Sequence, residues 1–455
     1  MAGGLVAVVA GGGIAGLASA VALRQADWHV TVLERAPEFG EVGAGLGFTG
    51  NGMAALAALG LAEAVLAAGH LAPHAGFQDP AGRWLLRIPG NGAGRGGVTN
   101  VCGIHRRRLH DVLRQAAGSA GAELVTGAEV TAIRPGIAGG GPATVTWRAA
   151  AGEHARACDL VVAADGVHGT VRGQLFPAAR PRYSGSTSWR AVIPDTSLDG
   201  RLTEVWGPGA EFGTLRVSDR EVYWYGEFTG PEGKQFPDEL AAARARFAGW
   251  SPWIRDIIAA TAPGQLMRHD VYHLPGGCPR YVHGRVVLTG DAAHAMLPTI
   301  GQGAATALED AVCTGRMIAA PVAAGADLAA ALDAFDRVRR PRCRQLAREA
   351  LLLARLGFEL GPGWRQAARN TFLRLLPAGP AFEAGARITR WTPPAVADPG
   401  QRGPGRSLNR LRGAGAGSVT RGALVPGEHA DLEDQLGLAM DRRLPAGHGP
   451  PGIPR

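Results

Sequence analysis

Three consecutive glycines followed by Ile14-Ala15-Gly16 interrupt an apolar run near the N-terminus. Residues 5–10 are a short apolar stretch suited to a buried parallel strand, and residues 17–24 read as the helix that follows. In a strand–turn–helix of this kind Gly11 allows the tight turn, Gly13 lets the backbone approach a pyrophosphate, and Gly16 permits close packing of helix on strand. The helix N-terminus then faces the anion. A second strand over residues 29–33 ends in Glu34, 34 − 16 = 18 residues beyond Gly16, close to the roughly 20 at which an acid meets a ribose hydroxyl. Far downstream, Gly290-Asp291-Ala292-Ala293-His294 and Gly301-Gln302-Gly303 add two more glycine turns. The three together imply one long nucleotide cofactor threaded through one α/β domain.

The same N-terminal stretch carries no charge before Arg24, a pattern that export signals and membrane spans share. The glycines interrupt its apolar run, no basic segment precedes it, and the next strand continues the nucleotide pattern, so neither is expected. The five cysteines, Cys102, Cys158, Cys278, Cys313 and Cys343, show no C-x-x-C spacing. They read as reduced thiols of a cytoplasmic protein, with no metal cluster. The net charge of +8 comes largely from residues 337–348 and 402–412. In the first of these, Arg337, Arg339, Arg340, Arg342, Arg344 and Arg348 are spaced on a helix like a solvated or anion-facing surface, and no nucleic-acid partner is expected.

The chain divides by pattern. Strand and helix signals alternate over residues 1–72 and again over 100–178. Residues 180–280 instead read as an antiparallel sheet, with strands expected over 187–193, 203–206, 213–217 and 221–228. The α/β pattern resumes at residues 286–288 before the Gly290-Asp291 turn, with a helix starting near Ala304. Residues 328–360 read as mostly helical. From residue 395 to 455 the composition turns to Pro, Gly and Arg without periodicity and predicts a disordered tail, apart from a weak helical patch over 432–440.

On these residues the chain resembles the single-component FAD-dependent aromatic hydroxylases, the family of salicylate and p-hydroxybenzoate hydroxylases. The likeness runs over about residues 4–360. It rests on the glycine fingerprint ending in Glu34-Arg35, the Arg106-x-x-Leu109-x-x-x-Leu113 helix, the Asp165-Gly166 turn after a buried strand, and Gly290-Asp291 followed by Pro298-x-x-Gly301-Gln302-Gly303. A smaller match is Gly43-Ala44-Gly45 with Asn51, which in such enzymes runs under the flavin. The resemblance implies an α/β fold: a split Rossmann-like FAD-binding domain (1–72, 100–178, 280–327) with an inserted antiparallel β-sheet substrate domain (73–99, 179–279) and a C-terminal helical segment (328–394).

The resemblance also implies site residues. Gly11, Gly13, Ile14, Ala15, Gly16, Glu34, Arg35, Gly45, Arg106 and Val130 would hold FAD, with Asp165 and Gly166 touching both FAD and the nicotinamide cofactor. Asp291 would accept a ribityl hydroxyl. Pro298, Gly301, Gly303 and Ala304 would lie at the flavin ring, where the helix N-terminus favours negative charge on the reduced ring. His168 stands where relatives often have Ser, and Ala305 where they often have Asn or Ser. His294 reads as a structural hydrogen-bonding residue rather than a base.

The implied reaction is NAD(P)H-dependent monooxygenation with O2, passing through a flavin C4a-hydroperoxide, on an aromatic or polyketide-like small molecule. One nucleotide fingerprint favours transient nicotinamide docking over a second Rossmann domain. Catalytic candidates are Arg190, Arg216, Tyr223 and Tyr225 in the β layer, with Pro298 at the ring; each of the strand residues could equally be sheet surface or core. Trp189, Trp206 and Trp224 could line an aromatic cavity or pack the sheet. A halogenase is disfavoured because Lys234 is the only lysine and no W-x-W-x-I-P occurs. An oxidase or dehydrogenase of the same fold, and a non-catalytic FAD-binding partner, stay as alternatives. A monomer or homodimer without a transmembrane segment is expected.

Overall fold

The computed structural model describes residues 4–40, 44–88, 100–194, 201–377 and 385–395, all within one compact unit. The expected tail lies outside the described residues, as does Gly43.

The fold is mixed α/β with three sheets. A six-stranded sheet runs in the order Val282–His283, Val286–Leu288, Leu160–Ala163, Val6–Ala10, His29–Leu33, Glu123–Val125. Its pairings are parallel except at the Val282–His283 edge. Val8, Val9, Val161, Val162 and Val287 have no exposed surface, as the continuous apolar runs of doubly covered parallel strands require. The helices Ile14–Arg24, Arg106–Ser119 and Gly303–Cys313 belong to the same core.

The second sheet is three-stranded and antiparallel, from Glu129–Arg134, Ala143–Ala149 and Gly152–Cys158. The third has nine strands. At its centre lie Arg182–Pro194, Glu221–Thr229, Ala210–Ser218 and Leu202–Gly207, all paired antiparallel. Gly45–Phe48 and Asn100–His105 also join this sheet, through His70–Gln78, so it draws on stretches that the sequence pattern grouped with the α/β layer.

The β-rich stretch also contains two helices that strand periodicity did not suggest, Glu239–Arg246 and Pro252–Ala259. Asp238 caps the first by accepting from the Ala241 N–H at 2.9 Å, and Ser251-Pro252 opens the second with proline at its first turn. They bury Leu240, Ala243, Ile254, Ile257 and Ile258 against Trp189, Phe212, Trp224 and Phe228 of the sheet. That contact decides between the two readings of the tryptophans: Trp189 and Trp224 pack the outer face. C-terminal to the parallel sheet, Gly303–Cys313 passes through a wide π turn, Thr314–Ala319, and the 29-residue helix Leu328–Leu356 follows. Among the described residues no helix is long and apolar enough to cross a membrane.

Candidate active site

The fingerprint turn is as tight as its glycines suggest. Gly11 has φ +104°, and a Cβ there would collide with the Ala164 carbonyl; a Cβ on Gly16 would run into the Gly11 carbonyl oxygen. Gly13 caps the helix that begins at Ile14. Glu34 closes the turn by accepting from the Gly12 N–H at 2.7 Å and the Ala36 N–H at 2.9 Å. Arg35 beside it is exposed. The Gly127 and Ala128 N–H groups donate back to the Ala36 and Glu34 carbonyls, which brings the start of the Glu129–Arg134 strand, with Val130, beside this turn.

Two further turns meet the fingerprint at the same strand ends. Gly290 has φ +58°, and a Cβ on it would lie 2.8 Å from the Ala15 methyl. Asp291 follows it, exposed at the head of the short helix Asp291–His294. Asp165 follows Leu160–Ala163; its Oδ2 accepts from the Val171 N–H at 2.9 Å, while its buried Oδ1 has no hydrogen-bond partner. Burial raises the Asp165 pKa, against the opposing pull of the Val171 N–H and Arg172.

Sequence reasoning missed Arg172. It is 2% exposed, and its guanidinium donates to the carbonyls of Gly166, Val167, Ala179, Asp291 and Ala292. One buried cation thus ties the Asp165 turn to the Asp291 turn. The group also answers the partial negative charge of several convergent carbonyls, which would otherwise be buried unpaired.

Pro298–Ile300 forms a 3-10 turn, Gly301 follows in the left-handed region at φ +63°, and Gly303 begins a helix with Ala304 half-buried beside it. Ala305 is buried near Gly52, a Cβ on which would lie 3.3 Å from the Ala305 methyl. Beneath this turn runs a chain of polar side chains. Asn51 donates to Gln302 Oε1 at 2.8 Å and to Glu309 Oε1 at 2.7 Å, and Gln302 donates to Thr49 at 3.2 Å.

Glu309 and Asp310 are fully buried and meet Arg339, also at 0% exposure, at 2.6 and 2.7 Å. Arg342 adds a second contact to Glu309 at 2.7 Å. The expectation of a solvated arginine face therefore fails at Arg339, because two carboxylates inside the core need a buried counter-charge. Burial would raise both acids, but Arg342 and Arg339 hold Glu309 below its usual range, and His294 and Arg339 do so for Asp310.

His294 has the structural role expected of it. Its Nε2 lies 2.5 Å from Asp310 Oδ2, the oxygen that also accepts from the Gly290 N–H at 2.9 Å. Burial disfavours the imidazolium, yet Cys343 and Asp310 outweigh it and raise the pKa. His294, Asp310 and Cys343 lie close enough together to share an ion, but the Arg339 guanidinium reaches Asp310 at 2.7 Å and the Cys343 sulfur at 3.5 Å. All five cysteines are free and buried; burial pushes the thiols of Cys102, Cys158 and Cys313 up to about 12.

The candidate substrate wall is the inner face of the large sheet. Register places Val192, Tyr223 and Leu215 in one row, Arg190, Tyr225, Gly213 and Glu204 in the next, and Ser188, Glu227, Glu211 and Trp206 in the third. Tyr223 lies against Gly45, where a Cβ would enter its ring, so this face meets the segment matched to the flavin run. Arg106, whose N–H donates to the Ala44 carbonyl at 2.8 Å, acts electrostatically on both Tyr223 and His269. Arg216 falls away from this group: it pairs with Val222 on the opposite face and donates to the Asp219 carbonyl at the hairpin end.

Sequence reasoning also missed the carboxylates of this wall. Tyr225 donates to Glu204 at 2.7 Å, and Ser186 to Glu227 at 2.6 Å. Glu211 and Glu227 stand directly opposite each other on neighbouring strands, at 4% and 1% exposure. Burial, then the Glu227 and Glu204 charges, push Glu211 well above its usual range; burial pushes Glu227 up to about 7 against the pull of Ser186 and Arg190. The signal was available, since Glu211 and Glu227 each interrupt an apolar strand.

A pH dependence of stability follows from Glu227. Its folded value lies above the ordinary 4.5, so its contribution is complete below about 4.5 and is lost as pH rises through about 7. Between pH 5 and 8 the protein should lose on the order of 3 kcal/mol relative to its Glu227→Gln variant. Paired urea titrations would check this; parallel stability curves would exclude it. The facing charges that set the window are Arg190, Glu211 and Glu359.

A glycine cradle at three strand ends, an orphaned Asp165 oxygen and a helix N-terminus behind a glycine turn fit a dinucleotide such as FAD. Comparison with known proteins agrees. Residues 5–350 match the FAD binding domain family. The chain is 38% identical over 359 residues to the aurachin C monooxygenase/isomerase of Stigmatella aurantiaca, covering 78% of this chain and 90% of that protein. It is 33% identical over 391 residues to the 2-heptyl-3-hydroxy-4(1H)-quinolone synthase of Pseudomonas aeruginosa, covering 81% and 94%. Klebsiella pneumoniae HpxO, solved with FAD and uric acid, superposes with a TM-score of 0.72 at 25% identity, covering 85% of this chain and 96% of that one. The chain belongs to this FAD-binding family, as an FAD-dependent monooxygenase.

Proposed function

We propose that this enzyme uses NAD(P)H and O2 to hydroxylate a nitrogen-containing aromatic ring of the quinolone type. The carrying observation is the convergence of the Gly11–Gly16, Asp165, Gly290–Asp291 and Pro298–Gly303 turns with the Tyr223 face of the large sheet. The quinolone class is supported by the relatives named above.

Gly11, Gly13, Ile14, Ala15 and Gly16 would cradle the pyrophosphate, Glu34 the adenosine ribose and Asp291 the ribityl chain, with Arg35, Arg106 and Val130 along the cofactor. Gly45, Pro298, Gly301, Gly303 and Ala304 would border the ring. In this reading residues 1–72, 100–178 and 280–327 form a split Rossmann-like cofactor domain. Residues 73–99 and 179–279 form the inserted substrate domain, and 328–394 the helical region. Bound FAD would supply hydride acceptance from NAD(P)H and activation of O2, one oxygen atom entering the ring and the other leaving as water.

The chain's own residues do the rest. The Gly303 helix N-terminus presents N–H groups to negative charge, Arg172 holds the two turns in register, and the apolar residues around Tyr223 exclude water. Arg190 and Tyr223 orient the ring. The decisive experiment is anaerobic addition of NADH or NADPH to the FAD-loaded protein, with and without 4(1H)-quinolones. Flavin bleaching accelerated at least tenfold by a quinolone is expected, and bound flavin that neither nicotinamide reduces would overturn the reading in favour of an oxidase or a silent FAD protein.

A further inference from the structure

The inner wall of the large sheet is unusual in its charge. Glu204, Glu211 and Glu227 line two adjacent rows, whereas the basic groups acting on Tyr223 are Arg190 and Arg106. An anionic ring, such as one bearing a carboxylate, would enter against these acids. A neutral ring with a hydrogen-bond donor would find acceptors there.

A second observation points to a ligand on the same wall. Tyr223 is 8% exposed and its ring packs against Gly45 and, at 5.8 Å, Tyr225, yet among the described residues its hydroxyl has no hydrogen-bond partner. Its hydroxyl lies within electrostatic reach of Arg190, Glu227 and Glu211. Arg190 donates its Nε to Ser188 at 3.2 Å on the same wall. Glu227 has one oxygen engaged, by Ser186. These groups share one face, and a ligand that brings both a donor and an acceptor would engage them together.

Resting on the reading of the site as a quinolone-type hydroxylase, we propose that Glu227, backed by Glu211, accepts a hydrogen bond from the ring N–H of a neutral lactam-type heteroaromatic substrate. In the same pose the Tyr223 hydroxyl and Arg190 guanidinium donate to its ring carbonyl. Tyr223 and Glu227 are four residues apart on one strand, so their side chains share a face. A 4(1H)-quinolone carries its N–H and carbonyl on opposite sides of one ring, so the two ends can meet separate side chains of that face. The carbonyl end would sit toward Gly45 and the N–H end deeper in the sheet. Selectivity then comes from a donor that the site requires, because an analogue without it leaves a buried carboxylate unpaired.

The test uses the FAD-loaded full chain and reads binding from the perturbation of flavin absorbance, without turnover. The probes are 2-methyl-4(1H)-quinolone, its N-methyl derivative and salicylate. The wild type should bind the N–H quinolone at least tenfold more tightly than the N-methyl compound, and salicylate more weakly than the N–H quinolone. In Glu227→Leu the preference for N–H over N-methyl should fall below about twofold. Glu227→Gln, which retains an acceptor oxygen, should keep part of the preference but lose its dependence on pH near 7. If Glu227→Leu does not retain FAD, the pH profile of wild type against Glu227→Gln decides alone.

Equal binding of the two quinolones by the wild type, tighter binding of salicylate, an unchanged preference in Glu227→Leu, or matching pH profiles of wild type and Glu227→Gln would each overturn the proposal. An enzyme that discriminates the two quinolones but is reduced by neither nicotinamide supports this anchor while overturning the redox reading. The reverse pattern overturns the anchor alone.

Discussion

Replacing Arg339 with methionine should destabilise the protein by about 3–5 kcal/mol and lower its thermal midpoint by roughly 3–6 °C. The guanidinium has no exposed surface and is the common partner of Glu309 and Asp310. Methionine fills most of its volume but supplies no charge, so two acids with no exposed surface are left under-compensated. The damage should reach the cofactor: Asp310 holds the Gly290 N–H, and Glu309 holds Asn51 under the Gln302 turn. Weaker FAD retention should therefore accompany the lost stability. Arg337→Met, at an exposed position of the same helix, should change stability by less than about 0.5 kcal/mol. Calorimetry of both variants tests the claim; equal midpoints would mean that the buried network contributes nothing.

This contrast shows where sequence reading stops. Six arginines within residues 337–348 look alike in a helical pattern, and nothing local distinguishes Arg337 from Arg339. What separates them is a tertiary fact, that Glu309-Asp310 on another helix points into the core at the height of Arg339. The acids carried the readable half of that fact, since two adjacent carboxylates in the apolar stretch Ala304–Cys313 demand partners. Arg172 was hidden for the same reason: its five acceptors are carbonyls brought together by three separate stretches.

The large sheet shows a subtler limit. Its four central strands were legible from period-2 alternation, and so, in principle, were their two faces. Trp224 and Tyr223 are sequence neighbours and so must point to opposite faces. Grouping aromatic residues by type obscured this. Trp189 and Trp224 pack the outer helices, while Tyr223, Tyr225, Glu227 and Arg190 share the inner wall. Alternation divides residues into two sets but does not say which set faces the cofactor layer; that depends on the approach of Gly45 to Tyr223. The glycine turns were legible because their geometry is carried by the backbone, so short glycine patterns suffice to encode it.

That reliance on backbone gives the last prediction. Gly16→Ala adds one methyl group, yet its Cβ would overlap the Gly11 carbonyl oxygen and come within 3.2 Å of Val9 Cγ1. Neither neighbour has an inexpensive way to yield, because the first is main chain at φ +104° and the second belongs to the central strand. The helix must move off the sheet, and with it the N–H groups proposed to face the pyrophosphate. The variant should lose about 1–3 kcal/mol of stability and at least a hundredfold in FAD affinity, and should purify without colour. Gly173→Ala provides the comparison. Gly173 is also helical, within Thr170–Leu175, but a Cβ there meets nothing within 4 Å, so the alanine should retain FAD and gain up to about 1 kcal/mol. Flavin content and melting temperature of the two purified variants distinguish the cases. If Gly16→Ala kept a full complement of flavin, close approach of helix to strand would not be what this turn requires.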